Sequence, residues 1–156
     1  MPEISAGLLM FKYTDEKLKI FLVHPGGPFF KNKDDGYWSI PKGLIEKDEE
    51  ILTAAIREFE EETGIKPNHN FIPLDTITQK SGKIVHAWAF EKEIEEPVSI
   101  ECNTFELEWP PKSGKKISIP EVDKGEFFFE DEARIKINSA QISLIDRLID
   151  NLKSKK

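Results

Sequence analysis

The sequence predicts a layered α/β (α+β) domain, on three observations. Apolar stretches of strand length come in pairs around short polar turns, two segments carry apolar residues at helical spacing, and the order runs strands, helix, strands, helix. A chain of 156 residues suits one domain spanning 1–156, and 38% hydrophobic residues, with 11 Phe and 3 Trp, are enough for a sizeable core.

Ala6 to Tyr13 and Leu18 to His24 flank Thr14-Asp15-Glu16-Lys17 and read as a hairpin. His24-Pro25-Gly26-Gly27-Pro28 ends the second strand, because paired Pro and Gly cannot continue a ladder. Tyr37-Trp38-Ser39-Ile40 reads as a short strand leading into Pro41-Lys42-Gly43. From Glu49 to Thr63 the apolar residues Leu52, Ala55, Ile56 and Phe59 recur at helical spacing, and Gly64 with Pro67 supplies the stop. A second hairpin runs from Phe71 to Gln79 and from Ile84 to Glu93 around Lys80-Ser81-Gly82-Lys83. Residues 97–124 look irregular, and a long loop in a compact domain is often functional. Phe127-Phe128-Phe129 is expected as a buried strand, and Glu130 to Ile137 as a short helix. Asn138 with Gln141 three residues on predicts a capping box for a final helix, whose apolar side holds Ile142, Ile145, Leu148, Ile149 and Leu152.

The single cysteine, Cys102, cannot form an intrachain disulfide, so nothing requires an oxidising compartment. The N-terminus lacks the pattern of a signal peptide, and no apolar run approaches the roughly 20 residues of a membrane span. The expectation is a cytoplasmic protein without a membrane partner. With 29 acids against 22 bases the formal charge is −7, so a basic footprint for duplex nucleic acid is not expected. Between Gly43 and Ile65 stand eight acids and two bases, so six of the seven excess charges lie in one short stretch.

Within it, Glu58, Glu61 and Glu62 fall within roughly 100° of helical arc, beside the apolar stripe. Like charges at these spacings repel, and a hard divalent cation with its preference for oxygen ligands would reverse the sign. On the helix pattern alone a solvated acidic face is the simpler account.

The spacing points further. Gly43, five residues, Glu49, seven residues, then Arg57-Glu58-Phe59-Glu60-Glu61-Glu62-Thr63-Gly64-Ile65 resembles the Nudix box, the signature of the Nudix hydrolases. Every fixed position matches; Phe59 stands where a smaller aliphatic is commoner, and Asp48 where many members have Gly. The resemblance implies an α/β/α sandwich with a mixed sheet between helices. It implies Mg²⁺ (or Mn²⁺) as cofactor, held by Gly43, Glu58, Glu61 and Glu62, and attack of water on phosphorus in a nucleoside diphosphate linked to some group. Glu58 and Glu61 then belong with Arg57 to the catalytic set. Arg57 lies off the carboxylate arc and reads as a brace for the loop acids, Glu49 foremost.

Family members often take a further Glu from beyond the box; of Glu101, Glu106, Glu108 and Glu121 the preferred candidate is Glu121, just before the strand at Phe127. Trp38-Ser39-Ile40-Pro41-Lys42-Gly43 is similar to the Trp-x-x-Pro-Lys-Gly entry of the dinucleoside polyphosphate and diphosphoinositol branches. Lys42, Trp38 and Tyr37 are therefore the expected substrate-binding residues. Phe29 and Phe30, and Trp109 with Lys112, Lys115 and Lys116, are further candidates for holding a base or a polyphosphate tail. His24, His69 and His86 show no ligand spacing. The expected partner is a small-molecule nucleoside polyphosphate, diadenosine polyphosphate first; oligomeric state is left open. Rivals are a nucleoside-triphosphate cleanser, a nucleotide-sugar, dinucleotide-coenzyme or diphosphoinositol hydrolase, and a nucleotide-binding module that does not cleave.

Overall fold

The computed structural model describes residues 3–154. A hairpin comes first, β1 (Ile4–Thr14) and β2 (Lys17–Pro25), in register from Phe11↔Ile20 to Thr14↔Lys17. Its two-residue turn puts Asp15 and Glu16 at φ 52° and 66°, the left-handed pair whose twist matches that of the strands. β3 (Lys42–Leu44), α1 (Ile51–Thr63), β4 (Ile72–Thr78) and β5 (Ile84–Glu91) follow. β6 (Thr104–Glu108), β7 (Lys116–Pro120), β8 (Val122–Phe129), α2 (Glu130–Lys136), a 3-10 turn (Ser139–Gln141) and α3 (Ile142–Ser154) complete the order.

The main sheet has the order β4-β5-β1-β2-β8, with β3 paired to the start of β1; β1 and β5 run parallel and the other pairs antiparallel. Alternation along β1 sends Ala6, Leu8 and Met10 to one face and Leu9 and Phe11 to the other. The first face takes Ala54, Ala55 and Phe59 of α1, together with Phe21 and Phe90. The second takes Leu144, Ile145 and Leu148 of α3 and Ala133 of α2. The result is the expected α/β/α sandwich around a mixed sheet. Phe59 is fully buried with its ring edge-on to Phe90 at 5.2 Å, and its truncation to Ala is expected to cost about 3–5 kcal/mol. Among the described residues no helix is long and apolar enough to cross a membrane.

Several expectations are corrected. Residues 37–40 form two isolated bridges, Val23↔Ser39 and Trp38↔Ile137, and the short strand lies just beyond, at β3. The segment 97–124 holds a second, two-stranded sheet, β6–β7, with its own turn at 109–115. α1 begins at Ile51 rather than Glu49. Phe127 and Phe128 are buried, whereas Phe129, at the strand's end, is 41% exposed. The capping box does not form: Asn138 accepts from Ala140 N, and Gln141 turns inward, accepting from Ile40 N and donating to Ser39 Oγ.

Candidate active site

Two devices deliver the acidic residues to one place. β3 lies against β1, with Gly43 opposite Ala6, and α1 crosses above both. At Gly43 a Cβ would collide with the Glu58 carboxylate, so only glycine lets that side chain lie on the β3 backbone. α1 ends on Gly64, at φ 75°, whose N–H bonds Glu60 O at 2.8 Å. The chain beyond β5 then returns to this end of the helix, with Asn103 N donating to Glu61 O and Glu101 N to Thr63 O. Glu121, between β7 and β8, is fastened by its N–H to Asn103 O and by its carbonyl to Gly26 N, both at 3.0 Å.

Arg57 organises the solvent side. Its Nε and Nη2 form a fork on Glu49 at 2.8 and 2.9 Å, and Nη2 also reaches Leu44 O at 3.1 Å. Nη1 donates to Glu58 Oε1 at 2.8 Å and to Glu61 Oε2 at 3.0 Å. This is the brace expected of Arg57, extended to two further carboxylates. The guanidinium, with the Glu46 N–H behind it, holds the Glu49 carboxyl down at about 2. Burial raises Glu58 against the opposing pull of Arg57, and Glu61 and Glu121 add to the rise.

Glu62 points the other way, off the Arg57 network and into the molecule, where it is 7% exposed. Burial, then the charges of Glu58 and Glu121, push its carboxyl up to about 8. Lys42 lies beside it; burial and Lys83 draw its ammonium below the usual range, while Glu62 and Glu58 pull it back. A cleft of about 180 Å³ opens over this pair, lined by Pro25, Tyr37, Ser39, Lys42, Glu62 and Glu121. Larger surface hollows, of about 550 Å³ beside Phe71 and Glu91 and about 490 Å³ beside Phe129, contain no residue of this cluster.

As the side chains stand, the described residues contain no group of three carboxylate, His or Cys side chains placed to coordinate one ion. The donor chemistry nevertheless suits a hard cation. Glu46, Glu49, Glu58 and Glu61 gather around the Arg57 guanidinium, and Glu62, whose neutral form is favoured by burial first and then by its acidic neighbours, shares the cleft with Lys42 and Glu121. Glu58 and Glu61 would exchange Arg57 for the ion.

A NUDIX domain model matches residues 2–113. The chain belongs to the NUDIX family. The RNA pyrophosphohydrolase of Pelagibacter ubique is 37% identical over 65 residues, 34% of this chain and 41% of that protein. The chain aligns with only 11% to 41% of the length of such curated relatives. Among solved structures, the NUDIX domain of Shewanella oneidensis NrtR, complexed with ADP ribose, superposes with TM-score 0.68 at 18% identity, covering 97% of this chain and 89% of that one. The Ap4A hydrolase of C. elegans superposes with TM-score 0.67 at 19% identity, covering 97% and 99%. At such identities these two establish a shared Nudix fold.

The Nudix box thus occupies β3, the loop after it and α1. Of the four acids considered beyond it, only Glu121 lines the cleft. Glu101 packs at the end of α1 against Gly64, Glu106 lies exposed on the hairpin, and Glu108 accepts from Lys112 N and Gly114 N in the turn. Tyr37, 43% exposed, and Lys42 reach the cleft. Trp38 does not: it is 1% exposed, packed against Phe128 at 4.9 Å and His24 at 5.2 Å, with Nε1 donating to Asp34. Expected at the substrate, it serves the core and holds Tyr37 and Ser39 at the rim. Ser39, Pro25 and Lys83 are site neighbours that the sequence reading missed; they come from three separate stretches of the chain, which no local pattern joins.

Proposed function

We propose that this Nudix domain is a Mg²⁺- or Mn²⁺-dependent pyrophosphohydrolase that cleaves a phosphoanhydride bond in a nucleoside polyphosphate, diadenosine polyphosphate first. The observation that carries this reading is the pairing of a carboxylate cluster short of positive charge with a cleft that opens onto Lys42, Glu62 and Glu121. Nudix hydrolases generally use divalent metal ions, and here Glu58, Glu61, Glu62 and the backbone at Gly43 would hold them. Such an ion supplies neutralisation of phosphate charge and a lowered pKa for water. The chain's own part is positioning. Arg57 braces Glu49 and the carbonyl of Leu44 in the loop before α1, Lys42 offers an ammonium to a phosphate oxygen, and Glu121 stands where it can take a proton from water entering the cleft. Tyr37 offers a ring at the rim for the nucleoside. The intact carboxylate set favours hydrolysis over a module that binds without cleaving.

The test is a panel of diadenosine polyphosphates, nucleoside triphosphates, nucleotide sugars and diphosphoinositols with Mg²⁺ or Mn²⁺, the products identified by mass. Cleavage of a phosphoanhydride bond, lost in Glu61→Gln with the fold retained, supports the reading. Binding without product from any member hands the site to the non-cleaving alternative.

A further inference from the structure

Two arms rise from the cleft and meet at their tips. One is the loop 26–37, rooted where Gly26 N bonds Glu121 O; the other is the β6–β7 hairpin, rooted at Glu121 N and Asn103 O. The hairpin's Ile119 lies within van der Waals reach of Gly27, so the arms run side by side. At the top Trp109 meets Phe29, edge to face, with ring centroids 5.0 Å apart. Phe29 remains 57% exposed, an unusual setting for a phenylalanine in a contact that bridges two loops. The next residue, Phe30, lies 6.3 Å from Tyr37 at the cleft rim, so aromatic rings lead from the carboxylates to the tips. From Lys116 to Pro120 β7 covers about 13 Å, several phosphate groups away from Glu121.

The same arms carry exposed Lys31, Lys33, Lys112, Lys115 and Lys116 in a chain whose net charge is −7. Of the acids on these arms, Glu108 caps the hairpin turn and Asp34 and Asp35 pair with Lys136, which leaves Glu106 against five lysines. An exposed aromatic ring amid surplus ammonium groups suits a planar base at the end of a polyanion.

We infer that Phe29, backed by Trp109, forms a distal site for a second nucleobase, held several phosphate groups away from the bond that lies over Glu62. This deepens the hydrolase reading and rests on it for that bond. Two sources supply such a base, the second nucleoside of a dinucleoside polyphosphate and the chain that follows the first nucleotide of a 5′-triphosphorylated RNA.

Three substrates separate the cases: ATP with one base, diadenosine tetraphosphate with two, and a short single-stranded RNA bearing a 5′-triphosphate. In Phe29→Ala, KM for the two-base substrates relative to that for ATP rises about tenfold, the scale of one base–aromatic stack, while the kcat ratio holds. Phe29→Tyr, which keeps the ring, restores the wild-type KM ratio. A rise confined to the diadenosine compound or to the RNA supports the site and names its source. An equal effect on all three substrates, or none, overturns it. Should the wild type cleave none of them, the hydrolase reading fails on its own, and the site is read by binding. Tryptophan quenching by diadenosine tetraphosphate against ATP, with Trp109→Phe as reference, then shows a two-base preference that Phe29→Ala abolishes; equal quenching by both ligands overturns the site.

Discussion

Glu62→Gln isolates what the buried carboxyl costs the metal-free fold. Glu62 is 7% exposed, and its pKa is pushed from 4.5 to about 8, by burial first and then by Glu58 and Glu121. An acid with a raised folded pKa binds its proton more tightly in the native chain than in the unfolded one, so stability falls as pH climbs from about 4.5 towards 8. At about 1.4 kcal/mol per pK unit the penalty is about 3 kcal/mol near pH 7 and approaches about 5 kcal/mol above pH 8. Glutamine keeps the shape and cannot ionise, which removes the penalty. Urea unfolding in EDTA, repeated from about pH 5 to about pH 9, measures it. The two stability curves are expected to separate with rising pH, the variant ahead by several kcal/mol at the alkaline end. Adding Mg²⁺ to the wild type is expected to narrow the gap, since an ion bound by the native state adds stability. Parallel metal-free curves would refute the reasoning.

Arg57→Lys removes the fork on Glu49; stability is expected to fall, and the Glu49 carboxyl, followed by NMR, to titrate up from about 2 towards its ordinary range. Gly43→Ala places a methyl on the Glu58 carboxylate, so kcat should drop by about 10²-fold or more while the circular dichroism spectrum is retained; undiminished turnover would dissociate Glu58 from the chemistry. For Glu121→Gln a fall in kcat of about 10²–10⁴-fold is expected of a lost proton acceptor, whereas a rate equal to wild type dismisses Glu121 from that role.

The layers were legible because β1, β2 and α1 bury their apolar residues with clean periods of two and of 3.6. Glu62 shows what a helical wheel can still reveal. Seven residues from Ala55, it lies about 20° away on the helix and shares that residue's buried azimuth. It shares the acidic arc with Glu61, and burial is what sets it apart from the carboxylates on Arg57. The β6–β7 hairpin also left a signal, since Phe105 and Leu107 alternate with acids, and Ile117 and Ile119 with Lys116 and Ser118. Trp109-Pro110-Pro111, which leads into the turn, interrupts the alternation and makes 97–124 look irregular. Trp38 was illegible for another reason: a tryptophan before a phosphate-like loop serves a ligand or a core equally well. Only the fold, which brings Phe128 and His24 onto its ring, decides between them.

Among the described residues, the β6–β7 arm shares no hydrogen-bonded ladder with the six-stranded sheet, whose edge runs unbroken from Lys19↔Phe129 to the bulge at Pro25↔Val122. The arm can therefore lengthen, shorten or change its residues without disturbing that ladder or the helix that carries the acids. Tolerance to insertion and precision of the acidic centre reside in different stretches of one small chain. New ligand preferences can be acquired by rewriting residues 104–120 while α1 stays as it is.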